Sequence, residues 1–432
     1  MSEEAALKDN AAIVFEDNAA IVFEDTPRIP VVDADPILCI YKDFDDPSAF
    51  EFTDDEILDF TKREQMSHLF YMSGSKTKPL VLPDGFGQSA TDLSRCFYNC
   101  KCQSLTLPDG FGQNATDLNG CFYNCECQSL TLPDGFGQNA TDLNGCFYNC
   151  ECQSLTLPDG FGQNATDLNG CFYNCECQSL TLPDGFGQSA TDLHGCFYCA
   201  VNLKTLILPD GFGQNATDLS WCFYMCAGLE KLVLPKGFGQ NAETLRECFL
   251  TGDYGKLSNL ATLILPEGFG QKATDVGMCF CECIALTSLR LPDGFGQKAT
   301  NMVSAFANMQ KLRALILPEG CGRQALYIAT MFYECYELTD LHLPDGFGLK
   351  AARANGVFGK CIALTNITGN PNFGASLDLS DSPLLTVDSL MVVVSGLQTV
   401  TEAQTLTLGE ANKAKLTEAQ IKIATDKGWT VA

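Results

Sequence analysis

Histidine and tryptophan are nearly missing from this 432-residue chain, with three of the first and two of the second. His68, His194 and His342 stand alone in sequence: none has a zinc-ligand partner at HExxH spacing, and no phosphate-binding Gly motif occurs. A catalytic constellation needs dissimilar groups converging on one point, which a repeating chain rarely supplies. No catalytic residue, no metal site and no cofactor is therefore expected.

Positive charge is also scarce. Lys and Arg number 27 against 53 acids, for a net charge of −26, which disfavours nucleic acid and anionic membrane surfaces because both need clustered cations. Up to Phe60, 17 acids stand against Lys8, Arg28 and Lys42, so the first segment carries −14 of that charge. No apolar run approaches the roughly 18 residues of a membrane span. The start, Met-Ser-Glu-Glu-Ala-Ala, lacks the basic residues and apolar core of a cleaved secretory signal, so export by that route is not expected.

Repetition is what the sequence has in abundance. Leu-Pro recurs with prolines at 83, 108, 133, 158, 183, 209, 235, 266, 292, 318 and 344. The steps are 25 or 26 residues except for one of 31. Residues 105–129, 130–154 and 155–179 are identical, each reading LTLPDGFGQNATDLNGCFYNCECQS. At 46% hydrophobic residues the chain can bury apolar surface, but one coil this short cannot do so alone, and neighbours must stack.

Each unit reads as one coil of an α/β repeat solenoid. In Leu203-Lys204-Thr205-Leu206-Ile207-Leu208 the leucines sit at LxxLxL spacing, with Leu206 and Leu208 alternating inward on a short strand. Pro209 ends the strand for want of a donor, and Asp210-Gly211 turns the chain. Asn114, or Ser89 and Ser189 in its place, precedes Asp117, Asp92 and Asp192 by three residues, the pattern of a helix N-cap with an acid at N3. A short helix is predicted there, with Ala115, Leu118, Cys121, Phe122 and Cys125 as its inward stripe. The Asn-Ala-Thr sequons at Asn114, Asn139, Asn164 and Asn215 read as caps rather than glycosylation sites. The aspartate columns read as solvated acid in preference to a Ca²⁺ site, whose loop spacing they lack.

The 24 cysteines mostly recur in column, as Cys96, Cys121, Cys146, Cys171, Cys196, Cys222, Cys248 and Cys279 do. Buried reduced thiols are the leading reading, because free Cys behaves as a small hydrophobe. Disulfides and a metal site stay open beside it. Cys127 takes the place that Leu229, Leu286 and Leu312 fill elsewhere, one residue having been lost before it, which supports a packing role.

Four segments follow: an acidic N-terminal segment, 1–50; an N-terminal cap, 51–79, where Thr53 to Glu56 opens a helix; about 11–12 coils over 80–370; and a C-terminal cap, 371–432. The last should hold a helix over 383–397, a strand at 405–408, and a helix opened by the capping box Thr417 to Gln420 and stopped near Gly428. Within 1–50 the octet NAAIVFED occurs twice, at 10–17 and 18–25, and reads either as a flexible tail or as edge strand or docking peptide. The step of 31 places five extra residues around Thr251 to Ser258, a loop leaving the stack.

LxxLxLP, an internal Cys-Phe pair and a Cys before the next Leu, seen as Leu206-Ile207-Leu208-Pro209, Cys222-Phe223 and Cys226-Ala227-Gly228-Leu229, resemble the BspA-type leucine-rich repeats of bacterial surface proteins. The closing stretch LTLGEANKAKLTEAQIKIATDKGWTVA is similar to the end of such proteins in gut bacteria and their prophages. The resemblance implies adhesion, host contact or attachment to a virion, and a location at a cell or virion surface. Members at the cell surface carry an export signal, so a cytoplasmic location stays open.

Residues between the inward leucines point outward, which lists a candidate binding face coil by coil: Thr106, Thr131, Thr156, Thr181, Ile207, Val233, Ile264, Arg290, Ile316 and His342. At about 4.8 Å per strand the face would be on the order of 50 Å long. Ile207, Val233, Ile264 and Ile316 form an apolar stretch that suits a protein or glycan partner on a host or neighbouring cell, or self-association with a second copy. β-Branched residues also simply suit strands, and that reading weighs equally. The Ser-x-Thr array of the first coils has a minor reading as an ice-ordering surface. Three function classes remain: adhesion or receptor binding, intracellular scaffold, and structural spacer.

Overall fold

In a computed structural model of the chain, residues 13–16, 19–22, 37–39, 54–75, 79–251 and 259–432 are described. The chain divides into two compact units, residues 1–190 with 206–210, and residues 191–205 with 211–432.

In the first unit, the two copies of the duplicated octet meet. Ile13–Glu16 pairs antiparallel with Ala19–Val22, Val14 opposite Ile21, and on its other edge with Ile37–Cys39. Helix α1, Asp54–Lys62, follows, and its Phe60 is buried with its ring 4.6 Å from that of Phe86. The coils then stack in register: Leu80–Val81, Ser104–Thr106, Ser129–Thr131 and Ser154–Thr156 form one parallel sheet, one strand per coil. The central leucines face in, as expected of LxL.

The short helix expected over 114–125 does not form. Among the described residues of 63–386 there is no α-helix. Alternate backbone N–H groups are used sideways: Leu118, Gly120, Phe122 and Asn124 donate to the carbonyls of Asp142, Asn144, Cys146 and Tyr148 in the following coil, at 3.0, 2.8, 2.8 and 2.7 Å. The intervening Cys121, Tyr123 and Cys125 close three-residue turns to Leu118, Gly120 and Phe122. Such alternation requires left-handed residues, and Gly120 (φ 58°) and Asn124 (φ 53°) supply them. A helix would satisfy its donors along its own axis and leave the coils unbonded on this side. Inward spacings of three and four residues fit both arrangements, so Ala115, Leu118, Cys121, Phe122 and Cys125 are all fully buried as predicted, but on turns.

The caps read from sequence are likewise something else. Asn114 donates from Nδ2 to the carbonyl of Gln88 in the preceding coil at 2.9 Å, and Asn139 and Asn164 repeat this to Gln113 and Gln138. Asp117 Oδ1 accepts from the N–H of Asn119 at 2.9 Å, an Asx turn. The Asp117 position itself carries a second parallel ladder, bridging Asp92, Asp117, Asp142 and Asp167.

Aromatic columns fill the interior. Phe97, Phe122, Phe147 and Phe172 stack at 5.3–5.4 Å between centroids, and Phe111, Phe136 and Phe161 at 6.0–6.1 Å. Each such pair contributes about 0.5–1.5 kcal/mol beyond its area. The Gly-Phe-Gly repeat carries no helical or strand spacing that marks it as core, yet its Phe111, Phe136 and Phe161 are fully buried. Outside it, Tyr98, Tyr123, Tyr148 and Tyr173 form a half-buried stack at 4.1–4.6 Å.

The second unit has the same coil. Lys231–Val233 pairs with Thr262–Ile264, and Ala314–Ile316 with Asp340–Leu343 and then Asn366–Gly369, all parallel. Ser288–Arg290, expected as a strand between them, keeps the alternation with Leu289 buried and Arg290 exposed but is not a strand. Trp221, Met225 and Thr330 take left-handed φ of 54–60° here. Each costs roughly 1–2 kcal/mol for an L-residue, and each N–H reaches the next coil, to Arg246, Leu250 and Asn355. Residues 252–258 of the expected loop lie outside the described residues.

Beyond 370, helices α2 (Val387–Ser395), α3 (Gly409–Lys413) and α4 (Glu418–Asp426) flank a parallel sheet of Leu377–Asp378, Gln404–Thr407 and Trp429–Val431. Thr417 and Gln420 form the capping box of α4, each side chain bonding the other's backbone N–H. Thr386 caps α2.

Candidate binding face

The face follows from strand alternation. In the first unit Leu105, Leu130, Leu155 and Leu180 are buried, and Thr106, Thr131, Thr156 and Thr181 beside them are exposed. Ser104, Ser129 and Ser154 pair in register beneath them, so two hydroxyl columns run along the sheet. Ile207, which completes this unit's column, is 54% exposed, and its carbonyl accepts from the N–H of Leu182 at 3.1 Å.

In the second unit the face changes character along its length. Val233 and Ile264 lie directly opposite each other in the ladder and are 47% and 48% exposed, while Leu232 and Leu263 between them point in. Ile316 is 70% exposed. Arg290 extends into solvent with Glu267 at 3.9 Å, a pair too exposed to contribute much.

His342, predicted outward, is only half-buried against its neighbours: its Nδ1 is 3.0 Å from Thr368 Oγ1. Next to it Asp340 accepts from Thr339 Oγ1 at 2.6 Å and from Asn366 Nδ2 at 2.7 Å, and these bonds hold its carboxyl below the usual range. This end of the face is a hydrogen-bonded polar strip around one carboxylate, whereas the Val233–Ile264 pair offers only hydrocarbon.

The other sequence candidates fall elsewhere. His194 sits 4.8 Å from the Trp221 ring, with Nδ1 3.7 Å from Asp218. The aspartate column is spent on Asx turns. Among the described residues the group able to hold a metal ion is Cys100, Cys102 and Cys127, all buried, two of which are disulfide-bonded to each other. No helix of the described residues is long and apolar enough to cross a membrane.

Comparison with known proteins bears on the coil itself. The model of the BspA type leucine rich repeat region matches in six copies, over residues 93–166, 143–251 and 258–375. Among solved structures the chain is similar to a leucine rich repeat protein of T. pallidum at 18% identity, covering 41% of this chain and 74% of that one with a TM-score of 0.29. A leucine rich cell surface protein of Faecalibacterium prausnitzii aligns at 16% identity over 69% and 80% of the two chains, TM-score 0.30. A leucine-rich repeat protein of Bacteroides ovatus does so at 15% over 70% and 82%, TM-score 0.27. No curated protein matches.

Proposed function

The chain belongs to the BspA-type leucine-rich-repeat family, and from that premise we propose that it is a non-enzymatic binding module acting in adhesion or surface contact. Leucine-rich repeats serve as protein-interaction or adhesion modules, and the outward strand column is the surface a coil of this kind leaves free. The Val233–Ile264 pair carries the reading. Two large aliphatic side chains stand side by side, half exposed, on strands whose inward leucines already fill the core. Exposed apolar area of this sort is what a partner's apolar side chains cover.

The partner is a protein on a host or neighbouring cell, with Ile316 adding apolar surface and Arg290 and the Asp340–His342 strip supplying the polar rim that orients it. Thr106, Thr131, Thr156, Thr181 and Ile207 form the corresponding face of the first unit, and its hydroxyl columns suit a more polar ligand such as a glycan. Residues 51–79 and 371–432 close the ends of the repeat array, and 1–50 is a separate acidic segment.

Two experiments test this. Antibody to the repeats, applied to intact producing cells and to induced phage particles, should label a surface; protein found only in the cytosol would sink the adhesion reading. The purified chain should bind host-cell surface protein, and Val233→Glu with Ile264→Glu should weaken that binding at least tenfold. Unchanged binding would remove the face from the reading.

A further inference from the structure

Charge changes sign along the second ladder. In residues 112–119, 137–144 and 162–169 each coil brings one aspartate and no cation to it. Residues 296–303, 322–329 and 348–355 hold the same place in three coils of the second unit, and they contain Lys298, Arg323, Lys350 and Arg353 with no acid. A chain of net charge −26 thus gathers four cations on segments that carry no carboxylate of their own.

The three segments lie side by side. The Gly322 N–H donates to the Gly296 carbonyl at 3.4 Å and the Gly348 N–H to the Gly322 carbonyl at 3.2 Å, while Leu326 and Ala352 donate to Thr300 and Leu326 at 2.8 and 2.9 Å. The ladder bridges Asn301, Tyr327 and Arg353 in that order. All four cations are exposed, and among the described residues none of them forms an ion pair, not even with the exposed acids Asp293, Glu319 and Asp345 of the preceding turns. Arg323 reaches into the next coil, its Cγ and Cδ 3.5 Å from where a Cβ of Gly346 would stand. Arg353 Cζ lies 5.9 Å over the Tyr327 ring, and Leu326 and Tyr327, 40% and 42% exposed, set hydrocarbon among the charges.

Like charges on neighbouring strands repel, so the strip is less stable empty than with an anion laid along it. Spacing selects the anion. Coils follow one another at about 4.8 Å, close to the length of one sugar ring, so a linear glycan running along the stack with a carboxylate on each ring presents one anion to each coil. An extended peptide returns to the same face only at every second residue, about 6.6 Å. Duplex DNA carries one charge per about 1.7 Å, and most of those phosphates would meet a strongly acidic chain. Arg323 and Arg353 supply planar forks that match carboxylates. Leu326 and Tyr327 suit the C–H face of a sugar ring.

We propose that Lys298, Arg323, Lys350 and Arg353, with Leu326 and Tyr327, form a second binding site, whose ligand is a linear acidic glycan bearing one carboxylate on each sugar ring. The site is separate from the strand face, since Val233 and Ile264 lie on the other ladder.

The full chain is titrated calorimetrically at low salt with hexagalacturonate, and then with hexaglutamate, a thymidine hexanucleotide and a neutral galactohexaose. Hexagalacturonate should bind about tenfold or more tighter than each of the other three. Lys298→Gln, Arg323→Gln and Lys350→Gln together should weaken its binding by about tenfold or more, and Tyr327→Ala by about threefold. Lys204→Gln, Lys231→Gln and Lys311→Gln together remove the same charge from exposed positions elsewhere in the unit and should leave binding within about twofold. If the first triple variant fails to fold, the comparison of ligands on the wild type decides. No binding of hexagalacturonate to the wild type, equal or tighter binding of any of the other three, or equal weakening in the two triple variants overturns the assignment.

Discussion

A Cβ on Gly137 would lie 2.7 Å from Cδ2 of Phe161 in the next coil, and Gly137 itself has φ +64°. Backbone sign and ring contact therefore act together: the coil can approach its neighbour's phenylalanine only through a residue without a side chain. Gly137→Ala should lower stability by about 2–4 kcal/mol, combining left-handed strain with a displaced ring. Gly145, at φ +58° with only ordinary contacts near its Cβ position, should accept Asn for under about 1 kcal/mol. Denaturant unfolding of both variants checks this, and equal losses would remove the ring contact as the cause.

Asn149 donates to Asn124 Oδ1 and accepts from Asn174, in a column of left-handed asparagines. Asn149→Ala should cost about 1–3 kcal/mol, from the lost amide bonds and from alanine's poor tolerance of φ +53°. Asn149→Gly keeps the backbone at ease and isolates the amide share, so it should cost less. A glycine variant as unstable as the alanine one would show that backbone strain is not involved.

The aspartate ladder makes stability depend on pH. Burial, and after it Asp167, raise the Asp142 carboxyl above its ordinary value against a bond from the Asn144 N–H; Asp117 is raised by burial and by Asp92 and Asp142. A raised carboxyl pKa means that the folded chain binds the proton more readily than the unfolded chain. Stability from this column is therefore fully present below the unfolded value of about 4 and is lost as pH rises from there through the raised folded values. Asn301 shows the relief: its Nδ2 donates to Asp275 at 2.9 Å while its Oδ1 keeps the turn. Asp142→Asn should be more stable than wild type at pH 7, with the gap closing toward pH 4, as thermal unfolding across that range would reveal. A gap independent of pH would rule out the carboxylate column as its source.

Ile264→Lys should change stability by no more than about 0.5 kcal/mol, because the side chain is 48% exposed. Leu263→Lys, at 7% exposure, should prevent stable folding. Melting temperatures distinguish them, and a large loss in the Ile264 variant would make that residue a packing element and not a contact.

Much of the strand face was legible because alternation along LxL is a local rule: Thr106, Val233 and Ile264 point out once Leu105, Leu232 and Leu263 point in. His342 departs from the expectation because its neighbour in the ladder is Thr368, a contact 26 residues away that alternation does not encode. Arg290 keeps its outward place without a strand beneath it, and nothing in the structure explains that gap.

The sequence by itself determined the period, the parallel stacking, the inward columns and the capping box at Thr417, since each follows from spacing within one coil or one turn. Only the tertiary structure decided what the Asn114–Cys125 segment becomes. Its spacing and its apparent cap suit a helix, but a helix keeps its hydrogen bonds to itself, whereas Leu118, Gly120, Phe122 and Asn124 each bond a coil that exists only once the chain has stacked. The same holds for Cys102 and Cys127, which are 25 residues apart in the chain and become neighbours only because one coil lies on the next.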